Sequence, residues 1–289
     1  RLAKTEASSP QYARSLASCI IFSKDRACQL QALLRSFDDQ VSSEVHRTIL
    51  YSASNERHER AYAEVQSEFS GPATKWIKEN DFRNDVTSLL QNIHSKWLFF
   101  LVDDMMFIRP IDLSVFDQVS PYEVVPSLRL GTNIRSSYTL NTTMRLPNFT
   151  TTSLNNNKKL LWWRWESGEY DWAYPLSVDG HLFDPEEIRS IAEETEFQTP
   201  NSFESALQLA KPVFRKRYGL CYPESRVVNL PINKVQNENS NTCGDMNQDF
   251  LLDKWEQGYQ IDANSRYDTL NESVHQELPL QFVEKVKNA

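Results

Sequence analysis

Residues 97–104, WLFFLVDD, decide how we interpret the fold of this chain. The first six residues are all apolar or aromatic, and an unbroken run of this length is typical of a strand covered on both faces in a mostly parallel sheet. Asp103 and Asp104 follow at the carboxyl end of that strand. Ligands bind at this edge of open α/β sheets, so the position of the two carboxylates predicts a functional site.

The residues after the acidic pair favour this interpretation. The simplest alternative is a solvated turn after a strand, with Arg109 and Pro110 merely ending the element. Residues 105–108, MMFI, are however all bulky and apolar, and a strand that turns into water does not usually continue in that way. We therefore expect the two carboxylates to lie between buried segments.

Strand and helix patterns alternate before this stretch. Short apolar runs indicate strands, and apolar residues at helical spacing indicate helices. The strands are expected at 17–22, 46–52 and 97–102, and the helices at 26–37, 56–69 and 85–93. This alternation predicts an α/β fold with a mostly parallel, doubly wound central sheet and helices on both faces.

The second half of the chain has a more mixed pattern. We expect a strand near 124–130, an exposed loop or lid at 151–160 (TTSLNNNKKL), and helices at 185–194, 202–209 and 248–257. The sequence has no internal repeat and no linker that requires a second domain. We therefore predict a flexible lead-in at 1–15, followed by one domain whose halves span 16–120 and 121–289.

Composition limits the classes of partner. The 289 residues carry 39 acidic and 31 basic side chains, a net charge of -8, so net charge gives no electrostatic case for nucleic acid or an anionic membrane. No apolar run approaches the roughly 20 residues that span a bilayer. We expect a soluble, cytoplasmic protein; the alternative is a lumenal domain whose N-terminal anchor has been removed.

Cysteine and glycine patterns exclude two kinds of site. The four cysteines have neither CxxC pairing nor zinc spacing, which indicates free buried thiols. There is no GxGxxG and no GxxxxGK[ST], and seven glycines in all argue against a backbone cradle for phosphates. Phosphates can instead be held by a divalent cation on carboxylates together with Arg or Lys side chains.

Two stretches carry a resemblance to a known family. Residues 20–37, IIFSKDRACQLQALLRSF, and 79–108, ENDFRNDVTSLLQNIHSKWLFFLVDDMMFI, resemble the nucleotide-sugar half of GT-A glycosyltransferases, especially the inverting ones similar to family 2. The resemblance covers roughly residues 17–110. It implies a GT-A fold in which 16–120 bind the nucleotide-sugar and 121–289 form an acceptor-binding region of mixed α+β structure.

The resemblance also implies roles on the donor side. Val102-Asp103-Asp104 stands where the family has its DxD motif, and because the first position is Val, Asp104 is the expected metal ligand while Asp103 contacts ribose or donor sugar. A late histidine, His275, is the expected second ligand to Mn²⁺ or Mg²⁺; a hydrogen-bonded structural role is its alternative. The remaining residues expected near the nucleotide or diphosphate are Lys24, Asp25, Arg26, Ser52 and Arg83.

On the acceptor side, the segment YDWAYPLSVDGHLFD at 170–184 contains the expected base. The resemblance implies that Asp179 removes the acceptor proton, although the family's usual Glu-Asp pair is Val178-Asp179 here. A helix-capping role is the alternative for Asp179. Glu204 is a second candidate for catalysis, and its alternative is an exposed helix carboxylate.

Aromatic residues are concentrated just before Asp179. Four tryptophans fall within residues 162–172, and Trp and Tyr faces are common platforms for sugar rings, although core packing is the ordinary use of such residues. The side chains that we expect to contact the acceptor are Trp165, Trp172, Tyr174 and His181.

Together these observations predict a metal-dependent glycosyltransferase that moves a sugar from a UDP-linked donor to a hydroxyl of a glycan acceptor, with inversion. Two alternatives remain open at this point. A metal-dependent nucleotidyltransferase or phosphoesterase also uses paired carboxylates but normally has further ligands for a second cation. A non-catalytic carbohydrate-binding module would account for the tryptophans without Asp103 and Asp104.

Overall fold

The computed structural model describes residues 15–154, 158–232 and 248–285. The lead-in predicted for 1–15 lies outside these ranges except for Ser15. The first half of the chain alternates strands and helices in this order: β1 (Ala17–Lys24), α1 (Ala27–Gln40), β2 (Val45–Ser52), α2 (Glu56–Glu68), β3 (Thr74–Lys78), α3 (Phe82–Gln91), β4 (Trp97–Val102) and β5 (Met105–Phe107).

The second half contains shorter elements. They are β6 (Val124–Ser127), β7 (Ser136–Ser137), β8 (Thr142–Thr143), β9 (Thr150–Leu154), β10 (Lys158–Arg164), β11 (Leu182–Phe183), α4 (Pro185–Glu193), α5 (Pro200–Leu207), α6 (Lys211–Phe214), β12 (Tyr218–Cys221), β13 (Val227–Asn229), α7 (Gln248–Glu256), β14 (Tyr259–Ile261) and β15 (Phe282–Glu284).

The central sheet has the strand order β11-β4-β1-β2-β3. Strands β1 to β4 are mutually parallel, and the short strand β11 is antiparallel to β4. The predicted α/β fold class with a mostly parallel sheet is therefore confirmed, and β4 is an interior strand as expected. The edge strand β3 was not predicted, because its sequence TKWIK is short and only partly buried.

Helices cover both faces of this sheet. Alternate residues of β4 enter two different hydrophobic clusters, one shared with α1 and α2 and the other with α3, α4 and α5. Every residue of β4 except Val102 is buried. This two-sided burial explains why the strand is an unbroken apolar run rather than an alternating one.

A second sheet corrects the prediction of a lid at 151–160. Its order is β6-β12-β10-β9, and β9 and β10 form an antiparallel pair that contains the described part of this stretch. Leu160 and Leu161 are buried in β10, and β10 also pairs with β12, some 60 residues later. Residues 151–154 pair with 158–161 within the local hairpin, whereas β12 pairs with residues 161–164; residues 155–157 lie outside the described ranges.

Two expectations from composition can be compared with the structure. Within the described ranges, no helix has both the length and the apolarity needed to cross a membrane. Cys19, Cys28 and Cys221 are free and buried, as expected, and burial raises the pKa of each thiol. Cys243 lies outside the described residues.

Candidate active site

The acidic pair forms the turn between β4 and β5. Strand β5 leaves the central sheet and pairs with β13, and all three of its residues are buried. The chain therefore passes from one buried strand to another with Asp103 and Asp104 between them. This explains why apolar residues follow the pair directly.

Asp103 is held on both of its carboxylate oxygens. Its Oδ1 accepts from Arg26 Nη1 at 3.0 Å, and its Oδ2 accepts from Ser23 Oγ at 2.9 Å and from the Lys24 amide at 3.1 Å. Burial raises the pKa of Asp103, while Arg26, Ser23 and Lys24 act to lower it. Such a set of donors fixes the orientation of the carboxylate.

Asp104 is held by Arg26 and by a residue from the second half of the chain. Its Oδ2 accepts from Arg26 Nη1 at 2.9 Å, and its Oδ1 accepts from Asn229 Nδ2 at 2.9 Å. Burial raises the pKa of Asp104 to about 6; Arg26 opposes this, and the charges of Asp103 and Asp179 add to it. Negative charge is therefore concentrated around Asp104.

His275 reaches this cluster through backbone pairing. Strand β13 places Asn229 opposite Met105, and Asn229 forms a parallel bridge with His275. Fully buried Asn271 anchors the same segment, since Asn133 Nδ2 donates to its side-chain oxygen at 3.1 Å. The Nε2 atom of His275 lies 3.2 Å from Asp179 Oδ2, so the structure pairs the predicted metal ligand with the predicted base.

Asp179 lies beside the end of β4 because of the turn that follows it. Gly180 adopts a φ of 77°, a conformation that favours glycine, and its amide donates to the carbonyl of Phe100 at 2.9 Å. Asp179 Oδ2 also accepts from Arg129 Nη1 at 3.1 Å. Burial acts to raise the pKa of Asp179, but His275 and Arg129 outweigh it and the pKa is lowered.

The alternative capping role belongs to a different residue. Asp184, and not Asp179, is the N-cap of α4, where its Oδ1 accepts from the Glu187 amide at 3.0 Å. Asp179 is thus available for the site.

Glu204 projects from α5 toward the same turn. Its Oε1 accepts from the Val178 amide at 3.2 Å. Burial raises the pKa of Glu204 to about 7, and the charge of Asp179 adds to this. Asp179 and Glu204 are therefore two neighbouring carboxyl groups whose pKa values the structure moves in opposite directions, which is typical of groups with different proton-transfer roles.

Three of the residues predicted near the nucleotide lie at the adjoining strand ends. Lys24 and Ser52 are partners in the parallel register of β1 and β2, and Lys24 is exposed. Asp25 has a φ of 55° and its Oδ1 accepts from the Ser54 amide at 2.7 Å. A non-glycine residue in this conformation carries local strain of the kind that clusters at functional sites.

Arg83 has a different set of partners from those expected. Its Nε donates to the carbonyl of Thr195 at 2.8 Å and its Nη2 to that of Glu193 at 3.2 Å. These carbonyls lie at the end of α4, where a cation is favourable because of the helix dipole. The structure therefore shows Arg83 joining α3 to α4, and its contact with a diphosphate stays a prediction.

The structure corrects the prediction that buried aromatic residues before Asp179 form a platform for the acceptor sugar. Trp165 and Trp172 are both 0 % exposed and pack edge to face on Trp163, so neither offers a face to a ligand. His181 is likewise 0 % exposed, with its Nδ1 3.0 Å from the Pro175 carbonyl. These side chains serve the core because each ring is enclosed by neighbouring elements.

Tyr174 keeps a position on the acceptor side. It is partly exposed, and burial together with the charge of Glu204 raises the pKa of its hydroxyl. Lys211 Nζ lies 5.3 Å from the centre of its ring. Tyr174 is thus the member of the predicted acceptor set that remains accessible.

Sequence reasoning missed Arg129 and Asn229. Arg129 is 3 % exposed and binds Asp171 at 2.8 Å as well as Asp179. A signal was present for both residues, since each is a polar residue inside an apolar run, SLRLG and VVNLP. Buried charges are almost always paired, so such interruptions indicate a partner even when the partner is unknown.

The comparisons with known proteins agree with the motif resemblance. No protein-family model matches the chain. The bifunctional glycosyltransferase pgtA of Dictyostelium discoideum is 28% identical over 270 residues, which cover 82% of this chain and 34% of that protein. The resemblance to glycosyltransferases is confirmed by this similarity, and the chain spans about a third of the length of this curated relative.

Several solved structures are similar at a lower level. S. aureus TarS 1-349 in complex with UDP-GlcNAc has a TM-score of 0.42 and 11% identity, covering 70% of this chain and 55% of that chain. The bifunctional glycosyltransferase WbbM has a TM-score of 0.39 and 12% identity, covering 92% of this chain and 48% of that chain. The galactosyltransferase LgtC has a TM-score of 0.35 and 15% identity, covering 72% of this chain and 73% of that chain. All three TM-scores lie below 0.5, and we draw nothing about ligands from these likenesses.

Proposed function

We propose that this chain is a metal-dependent glycosyltransferase that transfers a sugar from a UDP-linked donor to a hydroxyl of a glycan acceptor, with inversion. One observation carries the proposal. The carboxyl edge of the parallel sheet holds the pair Asp103 and Asp104 on Arg26, with Asp179 close enough for its charge to raise the pKa of Asp104. The similarity to pgtA supports the reaction class.

The residues at this edge fit a divalent cation such as Mn²⁺ or Mg²⁺. Asp104 lies in an excess of negative charge, and His275 approaches the same cluster through Asp179. No three His, Cys, Asp or Glu side chains in the described part of the chain form a ready metal cage. Mg²⁺ commonly takes one or two carboxylates and completes its shell with water and phosphate oxygens, so Asp104 and His275 would hold the ion together with the donor.

Donor binding falls to the strand ends. A bound cation would offset the charge that develops on the leaving diphosphate. Lys24 and Arg26 supply positive charge beside it, and Asp103, with its orientation fixed by three donors, hydrogen bonds ribose or donor sugar. The domain assignment follows from this: 16–120 bind the donor and 121–289 the acceptor.

The group that removes the acceptor proton belongs to the second carboxyl pair, Asp179 and Glu204. Asp179 is oriented by Arg129 and His275 and takes the proton from the acceptor hydroxyl. Glu204, with a pKa of about 7, is the second candidate for this step at neutral pH. Tyr174 lines the acceptor side. Direct attack with the base opposite the leaving diphosphate inverts the anomeric configuration, which NMR of the product measures.

The experiment is a thermal-shift panel of nucleotides, nucleotide-sugars and free sugars, with and without Mn²⁺. A ligand at 100 times its Kd stabilises the folded state by about 2.7 kcal/mol, so UDP and one UDP-sugar should raise the melting temperature by a few degrees in Mn²⁺. Stabilisation by free sugars alone, with no response to nucleotide or chelator, would instead identify a carbohydrate-binding module. Stabilisation by nucleoside triphosphates rather than UDP-sugars would favour a nucleotidyltransferase.

A further inference from the structure

A tyrosine on α2 reaches the acidic pair from outside the site. Tyr62 is 1 % exposed, and its hydroxyl lies 2.6 Å from Ser23 Oγ and 3.1 Å from the Arg26 amide. Ser23 Oγ in turn lies 2.9 Å from Asp103 Oδ2. A buried chain of hydrogen bonds therefore joins the middle of a helix to a carboxylate at the edge of the sheet.

The direction of each hydrogen bond follows from the number of protons. The Asp103 carboxylate only accepts when ionised, so Ser23 uses its single hydroxyl proton to donate to it. The Tyr62 hydroxyl must then donate to Ser23 Oγ, while its own oxygen accepts from the Arg26 amide. Burial and the charge of Asp103 raise the pKa of Tyr62, so the hydroxyl keeps the proton that this chain requires.

The chain of hydrogen bonds begins and ends at the same residue, Arg26. The amide of Arg26 donates to Tyr62, and its guanidinium donates to both Asp103 and Asp104. One hydroxyl thus contacts the backbone of Arg26 and, through Ser23, the carboxylate that the Arg26 side chain binds. Movement of Tyr62 would disturb both ends of this arrangement together.

A second residue of α2 supports the same loop. His58 lies one helical turn before Tyr62, and its Nε2 is 3.9 Å from Asp25 Oδ1. Asp25 is the residue with the strained φ of 55° between Lys24 and Arg26. Residues four apart lie on one face of a helix, so this face of α2 contacts the loop that contains three of the expected donor-binding residues.

We propose that Tyr62 is a positioning residue for donor binding, which acts through the Ser23 hydroxyl to fix Asp103 and through the Arg26 amide to fix Arg26. This inference rests on the proposed function, because it concerns the affinity for a nucleotide-sugar. Tyr62 itself touches no reacting group. Its ring packs against Tyr51 at a centroid distance of 4.7 Å, and Tyr62→Phe leaves that packing in place.

The expected effect is a loss of affinity with the fold retained. Groups that orient metal ligands typically contribute about 10- to 100-fold to metal affinity or activity. By analogy we expect Tyr62→Phe to weaken UDP binding in Mn²⁺ by the lower end of that range, about tenfold. Tyr51→Phe is the matched control, since Tyr51 is a neighbouring buried tyrosine whose ring packs on Tyr62. UDP affinity of the control should equal that of the wild type.

The test is a double-mutant cycle measured by calorimetry with UDP and by thermal melts without ligand. The four proteins are wild type, Tyr62→Phe, Ser23→Ala and the double variant. Because one of the two routes from Tyr62 runs through Ser23, the losses of UDP affinity should be less than additive: adding Tyr62→Phe to Ser23→Ala should weaken binding by less than Tyr62→Phe does in the wild type. A merely structural tyrosine would lower the melting temperature of Tyr62→Phe and leave its UDP affinity unchanged, which would overturn the proposal.

The outcomes separate this proposal from the proposed function. A wild-type chain that binds no nucleotide would refute the function on which the inference rests. Wild-type binding together with fully additive losses, or with an equal loss in Tyr51→Phe, would overturn the role of Tyr62 alone. Wild-type binding with a non-additive loss confined to Tyr62→Phe and Ser23→Ala would support it.

Discussion

The two carboxyl pairs of the site differ in how their charges are arranged. Asp103 and Asp104 are adjacent in sequence and share a single guanidinium, that of Arg26. Asp179 and Glu204 are 25 residues apart and have different partners: Asp179 binds Arg129 and His275, while Glu204 accepts from a backbone amide. Asp103 and Asp104 therefore share one positive charge, whereas Asp179 and Glu204 lie in different electrostatic environments.

This difference teaches what each pair can do. Burial raises the pKa of both Asp103 and Asp104, and positive charge favours their ionised forms, so the pair suits a cation or a cationic side chain. In the second pair the pKa of Asp179 is lowered and that of Glu204 is raised to about 7. Groups separated in this way suit proton transfer. The first pair should therefore govern donor affinity and the second the rate of transfer.

The largest expected effect is on transfer by Asp179→Asn. Asn preserves the shape of the side chain but not its basicity, so transfer should fall by the roughly 10²- to 10⁴-fold typical of general-base loss while UDP affinity survives. The rate is measured with the donor that the wild type uses, and Asp117→Asn, an exposed carboxylate remote in sequence from the pair, is the control.

Comparison with Glu204→Gln sharpens this prediction. The Gln variant should lose less activity than Asp179→Asn if Asp179 takes the proton. Near-normal transfer by Asp179→Asn beside a large loss in Glu204→Gln would exchange their roles.

A smaller effect is expected on the pH dependence of stability. The pKa of Glu204 is about 7 in the folded chain against an ordinary 4.5, so between these values the folded state binds more protons than the unfolded state. Stability from this group is therefore lost as pH rises from about 4.5 to 7. Glu204→Gln removes that loss. The melting temperature of the variant minus that of the wild type should therefore increase by a few degrees from pH 5 to pH 8.

The matched control for the pH series is Glu166→Gln, which replaces an exposed carboxylate. The difference in melting temperature between Glu166→Gln and the wild type should be the same across the pH series. If the Glu204→Gln difference were equally constant, Glu204 would be an ordinary solvated carboxylate and the contrast between the two pairs would be lost.

The smallest effect is expected from Arg83→Ala. The guanidinium binds two carbonyls at the end of α4, and loss of a hydrogen bond costs about 1 kcal/mol of unfolding free energy. Denaturant titration measures this cost. If Arg83 serves only to join α3 to α4, UDP affinity should be unchanged, and weaker UDP binding by Arg83→Ala would support the predicted diphosphate contact.

The sequence predicted the position of Asp103 and Asp104 in the fold, but it did not predict the partners of Asp104 and Asp179. The apolar run before Asp103 and Asp104 is a local pattern, and their place at a strand end follows from it. The partners of Asp104 and Asp179 are not local: Asn229 lies 125 residues from Asp104, and Arg129 lies 50 residues from Asp179. Only the polar interruption of an apolar run marked Arg129 and Asn229 in advance.

The aromatic segment shows a second limit. Tryptophan suits both a sugar platform and a core, and composition cannot tell which side of a ring is covered. Trp172 is enclosed because Phe149 and Trp163 pack against it, and the position of Trp163 depends on the pairing of β10 with the distant strand β12. The stretch at 151–160 was expected to be a loop because of its polar composition, and its described residues instead pair within one local hairpin, β9 with β10.

The most direct test of the donor site is a calorimetric titration of UDP into the wild-type chain with Mn²⁺, into the same chain with excess EDTA, and into Asp104→Asn with Mn²⁺. We predict binding in the first titration and a loss of affinity of at least about tenfold in the other two, with the ligand-free melting temperature of Asp104→Asn close to that of Asp117→Asn. Equally tight UDP binding in EDTA and in Asp104→Asn would contradict a cation held at Asp104 and would leave Lys24 and Arg26 to bind the diphosphate.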